Sequence, residues 1–221
     1  MKAATVVLLS GGLDSAANLA LCFERDEPVL ALTADYGQRA AQREIEAARD
    51  LAGHYGVRHE TVDLRWLGAL GGSSLTDSDR LIPELGQAEL DALPRIRETA
   101  RAVWVPNRNG VLIQLAAAYA EVLGVGRVLV GFNREEGATF PDNTQEFLDA
   151  STAALRFSTR EGAVAVHSYT TALDKREIVA QLRRLARPFP FEKVWSCYHG
   201  GPKACGKCES CQRFKRAVGE I

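Results

Sequence analysis

The chain has 221 residues, of which 46% are hydrophobic and 25% are charged, and its formal net charge is −1. This length and composition suit a globular domain with a small appendage. A nearly neutral chain has no general attraction to nucleic acid or to anionic membranes, and no segment approaches the roughly 20 apolar residues of a membrane helix. The first residues also lack the apolar core and cleavage site of a secretory signal. We therefore expect a cytoplasmic protein without nucleic-acid or membrane partners.

Short apolar segments alternate with helical segments along the chain. Strands are expected at residues 6–9, 28–33, 59–64, 127–131 and 164–167, with a further extended segment at 103–105. Helices are expected at 15–25, 39–55, 109–123, 141–158 and 174–185, the last with a capping box formed by Asp174 and Glu177. Residues 68–101 contain many glycines and prolines and show only a weak helical pattern near 88–93. The alternation predicts an α/β fold with a doubly wound parallel sheet.

The first predicted strand ends at Leu9 and is followed by Ser10-Gly11-Gly12-Leu13-Asp14-Ser15. A glycine turn between a parallel strand and a helix lets backbone N–H groups approach a phosphate closely, and the two serines add hydroxyl donors. The lysine of the P-loop motif and the third glycine of the dinucleotide motif are both absent. A plain tight turn with an aspartate helix cap is the simpler alternative. The strand before, the helix after and both serines favour a nucleotide-phosphate site.

Four of the five cysteines lie in the last part of the chain, at Cys197, Cys205, Cys208 and Cys211. Short Cys-x-x-Cys steps let thiolates converge on one tetrahedral ion, which favours a closed structural zinc site. An iron–sulfur cluster and a redox pair are alternatives, and His199 is a conceivable substitute ligand. Cys22 is expected to be a small buried side chain. We expect a main domain at 1–195 and a zinc-binding tail at 196–221 packed on it.

The glycine turn resembles the PP-loop of the N-type ATP pyrophosphatases, which cleave ATP between the α- and β-phosphates. The resemblance implies that the loop binds the departing pyrophosphate and that Asp14 helps to organise magnesium. A carboxylate would be activated as its adenylate, because AMP is a good leaving group and hydroxide is a poor one. The adenosine is expected at the end of the second strand. The expected nucleotide-binding residues are Leu9, Ser10, Gly11, Gly12, Leu13, Asp14, Ser15, Asp35 and Tyr36.

Over nearly its full length the chain resembles the 7-cyano-7-deazaguanine synthase family. The matching segments are residues 10–15, 35–39, 74–76, 105–109, 131–133, 175–178 and 196–198, with the three later cysteines. The implied reaction uses ATP to convert 7-carboxy-7-deazaguanine and ammonia to the nitrile, through adenylates of the acid and then of the amide. The product feeds queuosine or related deazapurine pathways. The implied cofactors are ATP, magnesium and zinc, in a homodimer supplied with free ammonia or an external donor.

Three residues are expected to be catalytic: Asp14, Arg108 and Lys175. Arg108 begins a predicted helix and can face phosphate or carboxylate, and a solvated arginine is the alternative. Lys175 can stabilise charge on the α-phosphate or the substrate, and a surface lysine is the alternative. The expected substrate-binding residues are Asn109, Asn133 and Asp142, of which Asp142 suits a guanine-like edge.

One segment departs from the family pattern. Where members commonly have Tyr-Pro-Asp-Cys-Arg, this chain has Phe140-Pro141-Asp142-Asn143-Thr144. The change makes a related ligase that stops at the amide, or joins another amine, the alternative function. A zinc-dependent nucleic-acid-binding regulator built on the basic cysteine tail is a second alternative, but such a module needs no PP-loop. We favour nitrile synthesis.

Overall fold

The computed structural model describes residues 3–219, and its centre is a parallel sheet. The strands are β1 (Ala4–Leu8), β2 (Glu27–Asp35), β3 (His59–Asp63), β4 (Arg127–Leu129) and β5 (Ala165–His167). They lie in the order β3-β2-β1-β4-β5, and every pair is parallel. Because the order reverses on either side of β1, this strand is the topological switch point at which such sheets bind ligands.

Helices cover both faces of the sheet. They are α1 (Leu13–Arg25), α2 (Ala41–Tyr55), α3 (Arg65–Ala69), α4 (Leu93–Val103), α5 (Arg108–Val122), α6 (Arg134–Gly137), α7 (Gln145–Ser158), α8 (Lys175–Leu182) and α9 (Glu209–Val218). On one face α1, α2, α8 and α9 enclose a core that includes Leu19, Leu51 and Ile178. On the other face α5 and α7 bury Ile113 and Leu148 against the strands. The predicted doubly wound α/β fold is confirmed.

The capping box predicted at the start of α8 is present. The backbone N–H of Glu177 donates to Asp174 Oδ1 at 2.9 Å, and the N–H of Asp174 donates to Glu177 Oε2 at 2.8 Å. This reciprocal pair satisfies free N–H groups at the helix start and fixes the position of Lys175, the first residue of α8. Within residues 3–219 no helix is both long enough and apolar enough to cross a membrane.

Three expectations differ from the structure. The segment 103–105 is not a strand, because Val103 ends α4 and the next residues are extended without joining the sheet. The helical pattern near 88–93 was placed too early, since only a 3-10 turn forms at Gln87–Glu89 and α4 begins at Leu93. Pro94 occupies the first turn of α4, where its missing N–H costs nothing, so it does not interrupt the helix. The cysteine tail also contains α9, which we did not expect.

Candidate active site

A cleft of about 260 Å³ lies at the carboxyl ends of the central strands. The predicted site residues in its lining are Leu9, Ser10, Gly12, Leu13, Asp14, Ser15, Tyr36, Arg108, Asn109, Asp142, Lys175 and Cys197. Gly11, Asp35, Asn133 and the other three cysteines of the tail are not in this lining. The fold thus brings residues from six separate segments of the chain to one cavity at the switch point of the sheet.

The two serines of the PP-loop hold its backbone in a closed turn. The N–H of Ser10 donates to Ser15 Oγ at 3.1 Å, and the Ser15 hydroxyl donates to the carbonyl of Gly12 at 3.1 Å. The N–H of Gly12 in turn approaches Ser10 Oγ at 3.3 Å. Gly12 precedes α1 and offers no side-chain cap, so the N-terminal end of this 13-residue helix is available to an anion.

Two glycines allow close packing around the loop. Gly11 has a φ of +80°, and a Cβ there would lie 2.6 Å from the carbonyl oxygen of Glu44. Gly131, after β4, passes so near the start of α1 that a Cβ would lie 2.4 Å from the nitrogen of Ser15. Both positions therefore exclude any side chain, and the loop is supported from behind by α2 and β4.

A buried lysine joins two carboxylates beside the loop. Lys175 Nζ lies 2.5 Å from Asp14 Oδ2 and 2.9 Å from Glu136 Oε1, and the lysine side chain is only 10% exposed. Asp14 Oδ1 is buried without a hydrogen-bond partner among the described residues. Glu136, in α6, was not predicted, although its place just after the carboxyl end of β4 could have indicated it.

Burial and charge shift the pKa of each member of this trio. Burial, with the neighbouring Glu136 carboxylate, raises the pKa of Asp14 to about 6 against the opposing effect of Lys175. Burial alone would lower the pKa of Lys175, but Asp14 and Glu136 together raise it above its ordinary value. Burial opposes ionisation of Glu136, yet Lys175 keeps its pKa below the ordinary value. Lys175 is therefore a fixed positive charge at neutral pH.

Arg108 lines the same cleft from the first turn of α5. Its Nη1 donates to Tyr36 Oη at 3.2 Å, and its guanidinium carbon lies 5.5 Å from the centroid of the Tyr36 ring. The preceding Asn107 has a φ of +51° and turns the chain sharply into the helix. The structure thus holds a planar cation beside Tyr36, facing the same cleft as Lys175.

The three residues expected to bind substrate have different positions. Asn109 Nδ2 donates to the carbonyl of Asp142 at 3.2 Å, so these two residues lie together in the cleft. Asn133 is fully buried and caps α6, accepting from the N–H of Glu136 at 3.0 Å. Asp35 accepts from the N–H of Gly37 at 3.0 Å, which shapes the turn after β2. Asn133 and Asp35 thus hold backbone turns behind the cleft.

The four cysteines of the tail converge. Their sulfur atoms all lie within 4.8 Å of one another, and those of Cys205 and Cys211 are 3.9 Å apart. Zinc–sulfur bonds of about 2.3 Å in a tetrahedron hold the sulfurs about 3.8 Å apart, so the cluster fits a zinc ion. The N–H groups of His199 and Cys205 point at Cys197 Sγ from 3.4 and 3.3 Å. Such donors stabilise thiolate charge, and His199 takes part through its backbone.

The cysteine tail and the residue just before it, Trp195, contact the PP-loop and the segment after β4 in ways that sequence patterns did not reveal. The N–H of Trp195 donates to the carbonyl of Gly11 at 2.9 Å. Arg213, on α9, lies 2.7 Å from Glu135 Oε2, and Glu135 Oε1 accepts from the N–H of Lys175 at 3.1 Å. The cysteine cluster is therefore attached both to the PP-loop and to the segment that carries Lys175.

A serine-glycine loop between a central parallel strand and a helix, with a buried lysine and carboxylates beside it, defines an α/β protein of the PP-loop nucleotide-binding class. Residues 4–221 match the family model for queuosine biosynthesis protein QueC, and the chain belongs to this family.

Relatives with curated names agree with this family. A 7-cyano-7-deazaguanine synthase of Desulforudis audaxviator is 55% identical over 96% of this chain and 94% of its own length. Another, of Desulforamulus reducens, is 50% identical over 96% of this chain and 92% of its own. Among solved structures, NMN synthetase from Francisella tularensis aligns with a TM-score of 0.48 at 13% identity, covering 98% of this chain and 84% of that chain.

Proposed function

We propose that this chain uses ATP to convert 7-carboxy-7-deazaguanine and ammonia to 7-cyano-7-deazaguanine, through acyl-adenylate and amide intermediates. The observation that carries the proposal is the joint placement of the PP-loop, Lys175 and Arg108 around one cleft in a chain of this family. The names of the two relatives, which match almost end to end, support the substrate. Carbon–nitrogen bond formation with ATP makes the enzyme a ligase.

The phosphate end of the cleft is assigned to ATP. The loop N–H groups and the α1 terminus suit the pyrophosphate, and Lys175 can offset charge that develops on the α-phosphate. Asp14 has a buried oxygen without a partner, which fits a magnesium ligand. Magnesium, when bound, would neutralise charge on the phosphates. Arg108 is positioned to hold a carboxylate or phosphate oxygen in the same cleft.

The other end of the cleft is assigned to the deazaguanine. Asp142 accepts hydrogen bonds only, so it matches the N–H donors of a guanine-like edge. Asn109 keeps the backbone of Asp142 in place. Hydroxide is a poor leaving group, so the acid must be adenylated before ammonia can displace AMP. A second adenylation, of the amide oxygen, lets loss of AMP produce the nitrile.

The four cysteines are assigned to a structural zinc ion. The cluster offers four soft ligands and leaves no ligand position for substrate, which favours a closed site. We treat residues 196–221 as a zinc-binding tail packed on the 1–195 domain. Queuosine biosynthesis further favours a cytoplasmic enzyme, and we propose a homodimer that takes free ammonia or an external donor.

The test is a product assay with the deazapurine acid, ATP, magnesium and ammonium. We expect the nitrile, AMP and pyrophosphate, with zinc near one equivalent per chain by elemental analysis. An amide that never becomes nitrile would contradict the proposal and support the amide-forming alternative. The segment that motivates this alternative is only partly in the cleft, since Asn143 lines it while Thr144 caps α7 by accepting from Phe147 at 3.2 Å.

A further inference from the structure

Two aromatic rings in the cleft lie parallel to each other. The rings of Trp104 and Phe140 have centroids 6.2 Å apart and planes inclined by only 9°. Both side chains line the cleft, and both residues are partly exposed. Among the described residues, neither ring belongs to the two apolar clusters that hold the helices on the sheet. The pair therefore presents aromatic surface to the cavity.

Parallel rings suit a flat heterocycle. Offset-stacked aromatic rings have centroids about 4.5–7 Å apart, and the 6.2 Å between these two rings lies in that range. The two parallel rings therefore offer a flat aromatic surface on which a further planar ring can stack. Stacking of a nucleobase on aromatic side chains contributes on the order of ten- to a hundredfold in affinity per base.

The polar groups near Trp104 and Phe140 indicate which kind of heterocycle would stack there. Phe140 is two residues from Asp142, whose Oδ1 accepts from Asn143 Nδ2 at 3.2 Å. A carboxylate can only accept hydrogen bonds, so it suits a ring edge that carries neighbouring N–H and amino donors. A guanine-like ring has such an edge, whereas adenine places an acceptor nitrogen next to its amino group.

We infer that Trp104 and Phe140 form the stacking site for the pyrrolopyrimidine ring of the acid substrate. The inference rests on the proposed function and deepens it. The adenine of ATP is assigned to a different part of the cleft, at Tyr36, which directly follows β2. Trp104 and Phe140 are thus specificity-determining residues that hold the ring while Asp142 reads its edge.

The experiment compares Trp104→Phe and Trp104→Leu with the unchanged enzyme. We expect Trp104→Leu to raise the KM for the acid about tenfold or more and to leave the KM for ATP within about twofold. Trp104→Phe keeps a flat ring and should restore most of the affinity. Trp66→Leu, at a 56% exposed position on α3 outside the cleft lining, is the matched control and should change neither KM.

Binding can also be followed without turnover. The acid alone should change tryptophan fluorescence in the unchanged enzyme and in Trp66→Leu, and much less in Trp104→Phe. Equal affinity for the acid in Trp104→Leu would overturn the inference, as would a rise in KM for ATP alone, which would assign the pair to adenine. These results are separable from the proposed function, because failure of that function means that the unchanged enzyme makes no nitrile.

Discussion

At the phosphate end of the cleft, one ammonium group separates two carboxylates. Lys175 Nζ lies within 2.9 Å of oxygens from both Asp14 and Glu136. Without it, the two partly buried carboxylates would repel each other. Within residues 3–219 the Asp14 Oδ1 atom has no hydrogen-bond partner, so the fold bears the cost of a desolvated acceptor there. The site is thus arranged for a partner that arrives with the nucleotide.

This arrangement predicts the direction in which Asp14→Asn changes the stability of the fold and the rate of AMP release. The pKa of Asp14 is raised to about 6 in the folded protein, so ionisation above that pH lowers stability relative to the unfolded chain. The contribution of Asp14 to the free energy of unfolding is complete below about pH 4 and is lost as the pH rises to about 6. Asp14→Asn should therefore leave the free energy of unfolding at pH 7 unchanged or raise it by about 1–3 kcal/mol. AMP release should fall by about a hundredfold or more.

Urea unfolding at pH 4, 6 and 7.5 measures the first effect, and an AMP assay measures the second. Asp50→Asn, at an exposed position on α2, is the matched control and should alter neither. A strongly destabilised Asp14→Asn protein would show that the carboxylate contributes to the fold, which contradicts the assignment. Full turnover in this variant would contradict its catalytic role.

At the scale of elements, α9 is held against α6 by charge. Arg213 lies 2.7 Å from Glu135 and 2.9 Å from Glu209, and its side chain is only 8% exposed. Arg216 adds a second contact to Glu135 at 3.0 Å. Breaking a buried pair leaves an uncompensated charge, which costs more than the pair contributes. The segment with Glu135 and Glu136 is therefore held in place from the tail.

Arg213→Met should lower the free energy of unfolding by about 3 kcal/mol and weaken nucleotide binding. Arg213→Lys keeps the charge and should recover part of both losses. The control is Arg95→Met, which removes an arginine that is 44% exposed in its pair with Glu98 and should cost under about 1 kcal/mol. Chemical unfolding and calorimetric nucleotide titration measure the two quantities. Unchanged nucleotide affinity in Arg213→Met would refute the link between α9 and the cleft.

Sequence patterns predicted the helices and strands whose signal lies within their own residues. Buried parallel strands are apolar throughout, so β1 and β2 were visible as apolar segments. In contrast, α9 contains few apolar residues and is held by cysteines and by the contacts of Arg213. α4 has a proline in its first turn and follows an irregular segment that packs on the tail, where Glu84 forms an isolated β-bridge with Cys208. Tertiary contacts of this kind leave no periodic signal in the sequence.

The same distinction applies to the site. Motifs indicated Asp14, Arg108 and the four cysteines; Asp14 and Arg108 line the cleft, and the cysteines form one cluster. Glu136 and Trp104 carry no motif, and only the folded chain shows them beside their partners. Asn133 and Asp35 stand next to strand ends, but one caps α6 and the other shapes a turn.

For the molecule as a whole, the segment at Trp195 joins the four-cysteine cluster to the PP-loop. Removing zinc with a chelator should free the segment around Cys197, and with it the Trp195 N–H that holds Gly11. We expect a lower Tm and weaker binding of an ATP analogue. Because coupling between two ligands is reciprocal, the same analogue should raise the affinity for zinc, measured by competition with a chelator dye at equilibrium, by about fivefold or more. Equal zinc affinity with and without nucleotide would show that the two sites are independent.

The bond from Trp195 to Gly11 has a consequence during synthesis. The PP-loop leaves the ribosome well before two of its supports, because the N–H that donates to Gly11 lies at position 195 and the lysine beside Asp14 at position 175. At about 5–20 residues per second, many seconds separate the emergence of the loop from the emergence of its last support. A nascent chain therefore displays the nucleotide motif long before it can hold ATP in a working geometry.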